Sequence, residues 1–383
     1  MTRPDPVPGP GGGPEGPAAG TPAGGAGAAS PGPGERRSGE GGRLALVESP
    51  VQLLNVLEWA RGRGEAGLRV VVLPPRDAGA RDQLRRMAGL AREAGHRVLW
   101  REVRTPGAGV RTLPGLAARL RRARVLLVGD PFSRWIQTLL ALSRPREVVV
   151  VDDGTATMEF AAQLARGERL VRWHRKPSRG PRAALFAPVA RRAVTRLRPR
   201  PGRRSVELFS AMPVEVPDGM SVMANDFRWT RERFGPPALA PGADLVGTSL
   251  VETGVVREDD YLAAVRALAG RYGVTRYFAH RREGADKLRR VAAEAGLEIV
   301  RPELPLELVA RRGPVAAHVL SFPSTVVHTL PLVLADTPVK VTVCEVDEAW
   351  LTERASPRAG GFLASVTRTA SGVHGLATLP GAP

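Results

Sequence analysis

The chain has 383 residues, a formal net charge of +18, a pI near 11.4 and one cysteine, Cys344. A lone thiol excludes an intrachain disulfide and a cysteine-built zinc site. No run approaches the roughly 20 apolar residues that cross a bilayer, and no apolar h-region marks a secretory signal, so the expected location is the cytoplasm.

Residues 1–42 are rich in Gly, Pro and Ala, with no aromatic side chain and only Val7 larger than alanine among apolar residues after Met1. Such a segment cannot bury enough surface to offset the entropy of ordering, and a disordered tail is expected there. The ~340 residues that follow suffice for two domains of ordinary size. The positive charge is concentrated in 164–205, which holds fourteen Arg or Lys and a single acid, Glu168. That density suits a polyanion, an anionic membrane face or an acidic glycan; a solvated, arginine-rich surface is the plain alternative.

In chain order, RLALV (43–47) reads as a strand and SPVQLLNVLEWARGR (49–63) as a helix, with Ser49 capping it, Pro50 in the first turn and Leu53, Leu54 and Leu57 on one face. Strands are expected at 68–74, 96–103, 124–130 and 147–154, the last including its exit turn. Helices are expected at 80–95, 113–123 and 133–143. The Pro/Gly-rich stretch 236–243 reads as a domain junction. Beyond it, strands at 244–250, 274–283, 297–302, 314–325 and 338–346 alternate with helices at 257–273, 284–296 and 324–335, the last interrupted near Pro331. Residues 356–383 read as a flexible tail. Continuous apolar strands alternating with helices are the signature of parallel sheets covered on both faces. The expected fold is α/β and GT-B-like: two Rossmann-like domains, 43–235 and 243–355, facing a central cleft.

In such sheets ligands sit beyond the carboxyl ends of the strands. That rule gives VVVVDDGTATM (148–158) its interest, because Asp152 and Asp153 follow a buried strand directly. A carboxylate there can take the proton of an incoming hydroxyl, repulsion from its neighbour raises the pKa of one of the pair, and Gly154 allows a tight turn. Thr155 is a candidate cap for the next helix. A capping Asp at a strand end is the plain alternative. Further on, His280 ends a strand beside Arg281 and Arg282, where an imidazole can donate to a phosphate; an ordinary charged turn is the alternative. SFPST (321–325) puts Ser324 and Thr325 at a strand-to-helix turn, fit for an anion or a simple N-cap. Gly247, Thr248 and Ser249 form a further candidate phosphate turn, although neither GxGxxG nor a P-loop is present. No histidine has metal-ligand spacing, His318 and His328 are expected to be structural, and Cys344 reads as a small core residue.

Several segments in order, ALVESPVQLLNVLEWA (45–60), LLVGDPFSRW (126–135), VVVDDGTAT (149–157), GTSLVETGVVREDDYLAAV (247–265), YFAHRREGADKL (277–288), LPLELV (304–309) and SFPSTVVHTL (321–330), resemble the bacterial alpha-2,8-polysialyltransferase-like proteins and related bacterial sialyltransferases. The resemblance covers about 43–350. It implies a GT-B fold and a CMP-linked sialic or related nonulosonic acid as donor; no cofactor or metal is expected, because Asp-Asp-Gly is not the Asp-x-Asp arrangement that holds a metal-bound nucleotide and the CMP phosphate can be stabilised by protein groups. It implies a glycan or glycolipid acceptor; the basic segment 164–205 suits an anionic acceptor or peripheral contact with an anionic inner membrane face, and nucleic acid is not the expected partner. The family's acidic-acidic-Gly motif matches Asp152-Asp153-Gly154, with Asp153 the first choice of general base and Asp152 the reserve. Its His-Pro motif matches only at His280, since Arg281 stands where proline is usual. Its Ser-Ser or Ser-Thr motif matches Ser324-Thr325, and SPVQ matches a recurrent segment at the first strand's exit, which makes Gln52 a structural or a substrate-rim element. The alternatives are a non-catalytic polyanion binder or a GT-B enzyme using another nucleotide sugar.

Overall fold

The computed structural model describes residues 42–380 except 153, 171 and 173–179. The expected N-terminal tail, Asp153 and the centre of the arginine-rich segment therefore lie outside the described residues. The first sheet has seven parallel strands: β1 (Arg43–Val47), β2 (Arg69–Val72), β3 (Arg97–Trp100), β4 (Val125–Val128), β5 (Glu147–Val151), β6 (Ser205–Ser210) and β7 (Met220–Ala224). Their spatial order is β3-β2-β1-β4-β5-β6-β7. The second sheet has six: β8 (Leu239–Val246), β9 (Val274–Phe278), β10 (Glu298–Val300), β11 (Val315–Ser321), β12 (Lys340–Cys344) and β13 (Ala377–Leu379), in the order β10-β9-β8-β11-β12-β13. Numbered within each unit, both contain the 3-2-1-4-5-6 order of the Rossmann fold, so each has a crevice where the winding reverses, beside β1/β4 and β8/β11. Two such units in one chain give the expected GT-B-like α/β architecture.

Pleating explains why the strands are apolar throughout. Ala45, Val47, Val70 and Val72 face one core, with α1 (Pro50–Gly62) and α2 (Ala78–Glu93), while Leu44, Leu46 and Val71 face the other. Leu46 pairs in register with Val71 and with Val128. On α1, Leu53, Leu54, Val56 and Leu57 are fully buried, each contributing about 1.5–3 kcal/mol relative to exposure. Ser49 caps that helix, accepting from the Gln52 amide at 3.2 Å. The helix α7 (Arg228–Phe234) is held by α1: the Glu58 carboxylate accepts from the amides of Trp229 (2.7 Å) and Thr230 (2.9 Å) and from the Thr230 hydroxyl.

The two units share a core. Leu304, Leu308 and Leu330 join the cluster containing Val47, Leu53 and Val149, Gln83 Nε2 donates to the Pro302 carbonyl at 2.6 Å, and Arg86 pairs with Glu303. The chain crosses between units at 236–243, yet β8 already begins at Leu239. Leu239, Ala240 and Ala243 pair with β11, and a register shift together with Gly242 at φ +79° accommodates the bend.

Three local expectations need correction. The helix expected at 113–123 is α3 (Ala108–Arg122), with Pro114 inside it rather than at its start. Thr155 does not cap α5 (Thr155–Ala165); it is the first helical residue, and Gly154 occupies the cap position. The tail expected to be flexible from 356 forms α12 (Ala359–His374) and β13, the latter pairing parallel to β12. Leu363, Val366, Thr367 and Ala370 make a narrow buried face on α12, on which Val366 and Ala370 cluster with Val327 and Val343.

Candidate active site between the two Rossmann-like units

Among the described candidates, Asp152, Gly247–Ser249, His280 and Ser324–Thr325 follow the carboxyl ends of β5, β8, β9 and β11, whereas Gln52 lies in the first turn of α1. Asp152 follows β5 and is 2% exposed. Its Oδ1 accepts from the Gly154 amide (2.8 Å) and the Thr157 hydroxyl (2.5 Å), and its Oδ2 accepts from the Ser210 hydroxyl (2.9 Å) and the Ala211 amide (3.1 Å). Burial pushes this carboxyl's pKa up, against the pull of those donors. Its carbonyl accepts from Asn55 Nδ2 at 2.9 Å, and Asn55 is held in turn by Asn225. With four donors on two oxygens, Asp152 is a brace for the turn that follows it. The adjacent Asp153 lies outside the described residues.

That turn meets the second unit. Gly154 has φ +73° and ψ −142°, and a β-carbon built on it would lie 2.1 Å from Thr325 Oγ1 and 2.9 Å from Thr325 Cγ2. Only a residue without a side chain allows this approach. The structure therefore brings Gly154, at the start of α5, against Thr325, at the start of α11. Thr325 opens α11 (Val326–Val333), and Ser324 Oγ lies 3.3 Å from Ser321 Oγ. Both Ser324 and Thr325 are half-buried.

His280 stands two residues beyond β9 and is half-buried. Its Nδ1 accepts from the Arg282 amide at 3.2 Å, which leaves the proton of the neutral ring on Nε2. Burial, then the charges of Arg281, Arg282 and Lys287, pull its pKa down to about 4, so near neutrality it is an uncharged N–H donor. A buried network braces it. The His280 amide donates to Glu283 Oε2 (2.5 Å), Tyr277 Oη donates to Glu283 Oε1 (2.6 Å), and Lys287 Nζ lies 2.7 Å from Glu283 Oε1. Lys287 Nζ also donates to the Thr248 carbonyl at 3.0 Å, which ties the 247–249 turn to the histidine loop. Gly247 is required by packing: a β-carbon there would lie 2.4 Å from both Glu283 Oε2 and Tyr277 Oη. Arg281 and Arg282 are exposed, and Ser249 is half-buried with its carbonyl accepting from Thr253.

Gln52 is 2% exposed and does not reach an open rim. Its Oε1 accepts from the Glu48 amide at 2.8 Å and fills the space under Gly129, so it braces the β1 and β4 exits from beneath.

Sequence reading missed two groups. Glu307 on α10 (Leu306–Arg312) is buried, bonds the Thr329 hydroxyl at 2.8 Å, and has its pKa raised by burial and by the charge of Asp152; the segment LPLELV carried the signal, but its partner is distant in sequence. At the β1/β4 crevice, Glu48 pairs with Arg104 and Asp130 with Arg172 at 2.6 Å. Burial pushes Glu48 up to about 7. As expected, Cys344 is buried, its thiol pushed up to about 12 by burial. Among the described residues no cluster of three or more His, Cys, Asp or Glu is fit to hold a metal, and no helix is long and apolar enough to cross a membrane.

No protein-family model matches the chain, and no curated protein matches it. Among solved structures it is similar to the alpha/beta-galactoside alpha-2,3-sialyltransferase of the luminous marine bacterium Photobacterium phosphoreum, at 8% identity and a TM-score of 0.47, over 88% of this chain and 97% of that one. It is also similar to the E. coli heptosyltransferase WaaC. With ADP bound, that structure gives 14% identity and a TM-score of 0.36 over 86% of this chain and 100% of the other. With ADP-2-deoxy-2-fluoro heptose the values are 14% and 0.38, over 86% and 98%.

Proposed function

We propose that the protein is an inverting, metal-independent GT-B glycosyltransferase that moves sialic acid or a related nonulosonic acid from a CMP-linked donor to a hydroxyl of a glycan or glycolipid. The observation that carries this reading is the contact of Gly154, which follows the acidic pair, with Thr325 from the other sheet's side. A carboxylate on one side and phosphate-binding groups on the other are what a single displacement needs.

In this reading the acceptor oxygen attacks the anomeric carbon as the bond to CMP breaks. Its proton passes to the Asp153 carboxylate, and the electron pair of the broken bond leaves on the CMP phosphate. Asp152, wholly occupied by its four donors, holds the turn rather than taking the proton. His280 Nε2–H, the hydroxyls of Ser324 and Thr325 and the first amides of α11 stabilise the leaving charge, with Arg281 adding positive potential. The 247–249 turn shapes the donor side through its tie to Lys287. The acceptor enters over the β1/β4 crevice, and the basic surface suits peripheral work at an anionic membrane.

The test is transfer from CMP-nonulosonates by Asp153→Asn. Transfer is abolished while CMP affinity stays within a few-fold of the unaltered protein; loss of both together makes Asp153 structural and removes the base from the mechanism.

A further inference from the structure

The edge of the first sheet opposite the active site carries a feature that catalysis does not use. Arg204 immediately precedes β6, yet its residue is only 6% exposed, and among the described residues its Nε and Nη1 have no hydrogen-bond partner. Arg196, the last residue of α6 (Pro181–Arg196), likewise buries an unpartnered Nε. A guanidinium is a five-donor fork and is always charged, so buried N–H groups without an acceptor call for an anion.

The surroundings are also cationic. Arg200 is joined to Arg204 by an antiparallel bridge, with amide–carbonyl bonds of 2.9 Å in both directions. Arg192 lies one turn before Arg196 and donates to the Ala141 carbonyl at 2.9 Å, and Arg144 follows α4 (Arg134–Leu142). Burial, then the charges of these neighbours, pull Arg196 and Arg204 below the ordinary arginine range. Among the described residues none of the five arginines pairs with a carboxylate. Glu147, opposite Ser205 in register, makes no ion pair with them, and Glu207 is committed to Arg63 and Trp59. The half-charge at the C-terminus of α6 favours cations there, but it cannot balance five of them.

We propose that Arg144, Arg192, Arg196, Arg200 and Arg204 form a second anion site, for a phosphate group, at the amino-terminal edge of the first sheet. Arginine forks match the oxygens of a phosphate, two bonds at a time. The site is distinct from the cleft: β5 has five residues, which puts its amino end about 17 Å from its carboxyl end. The phosphate comes from a lipid headgroup or from a soluble phosphate ester. Leu142, 45% exposed and adjacent to the carbonyl that receives Arg192, lies where a lipid surface would rest.

The full chain is unfolded thermally with inorganic phosphate and with pyrophosphate, and sedimented with phosphatidylcholine vesicles with and without phosphatidylglycerol. The proteins compared are the natural sequence, Arg204→Met, Arg200→Gln and His280→Ala. Arg200 is exposed, so Arg200→Gln keeps the test open if Arg204→Met does not fold. Phosphate raises the unfolding temperature of the natural sequence and of His280→Ala, and either arginine substitution weakens the apparent phosphate affinity by about tenfold or more. Phosphatidylglycerol-dependent sedimentation that the arginine substitutions remove assigns the site to lipid; its absence, with the phosphate response intact, assigns it to a soluble ester. An unfolding temperature that ignores phosphate and pyrophosphate in the natural sequence, or responds equally in both arginine variants, overturns the proposal.

Discussion

Replacing Gly154 by alanine perturbs the contact on which the site depends. The new methyl would lie 2.1 Å from Thr325 Oγ1, 2.9 Å from Cγ2 and 3.1 Å from Cβ. Overpacking of this kind costs about 1–3 kcal/mol. Independently, φ +73° with ψ −142° is territory almost reserved for glycine, adding about 1–3 kcal/mol. The expected loss for Gly154→Ala is therefore about 2–6 kcal/mol, and the two parts can be separated. Thr325→Ala removes Oγ1 and Cγ2 and so relieves the steric part but leaves the backbone part. Urea unfolding of the four proteins in the double-mutant cycle reads the coupling, expected at about 1–3 kcal/mol in the favourable direction. Additivity within about 0.5 kcal/mol would mean that the two turns do not touch, and the site would lose its geometry.

Asp152→Asn should destabilise by about 2–4 kcal/mol, because an amide must turn its NH2 toward the Gly154 or the Ala211 amide, both fixed donors; a wild-type unfolding temperature would contradict the bracing role. His328 is fully buried, neither ring nitrogen has a hydrogen-bond partner among the described residues, and burial followed by His374 pulls its pKa to about 4. Its folded pKa is below the unfolded value, so its stabilisation is complete above about pH 6.5 and is lost as pH falls toward 4, up to about 3 kcal/mol. His328→Leu should flatten the drop in unfolding temperature between neutral and mildly acidic pH; an unchanged drop places the acid sensitivity elsewhere.

The apolar strands and capped helices were readable because their signals are local. RLALV and EVVVV are buried on both faces, and Ser49-Pro50 marks a helix start without reference to the rest of the chain. The misses share a physical cause. The stretch 236–243, read as a domain junction, is in part also strand, because pairing with β11 draws Leu239 onward into β8. Residues 359–374 look weakly structured because small residues dominate, and only the surface of α11 and β12 gives them something to pack on. Within the site, the motif ranks Asp153 ahead of Asp152 as base but does not show what Asp152 does instead. The donors that occupy Asp152 include Ser210 and Ala211, remote in sequence. Glu307 and the Arg196–Arg204 cluster were hidden for the same reason: burial and missing partners are tertiary facts. His280 was found by its place at a strand end, whereas its tautomer needed the Arg282 amide.

The most direct measurement is calorimetric titration of CMP, UDP and ADP into the natural sequence and into His280→Ala. The account predicts that CMP binds more tightly than either alternative and that His280→Ala weakens CMP by about tenfold, the loss of a hydrogen bond to a charged group. Equal affinity for the three nucleotides, no CMP binding, or CMP affinity untouched by His280→Ala would contradict it.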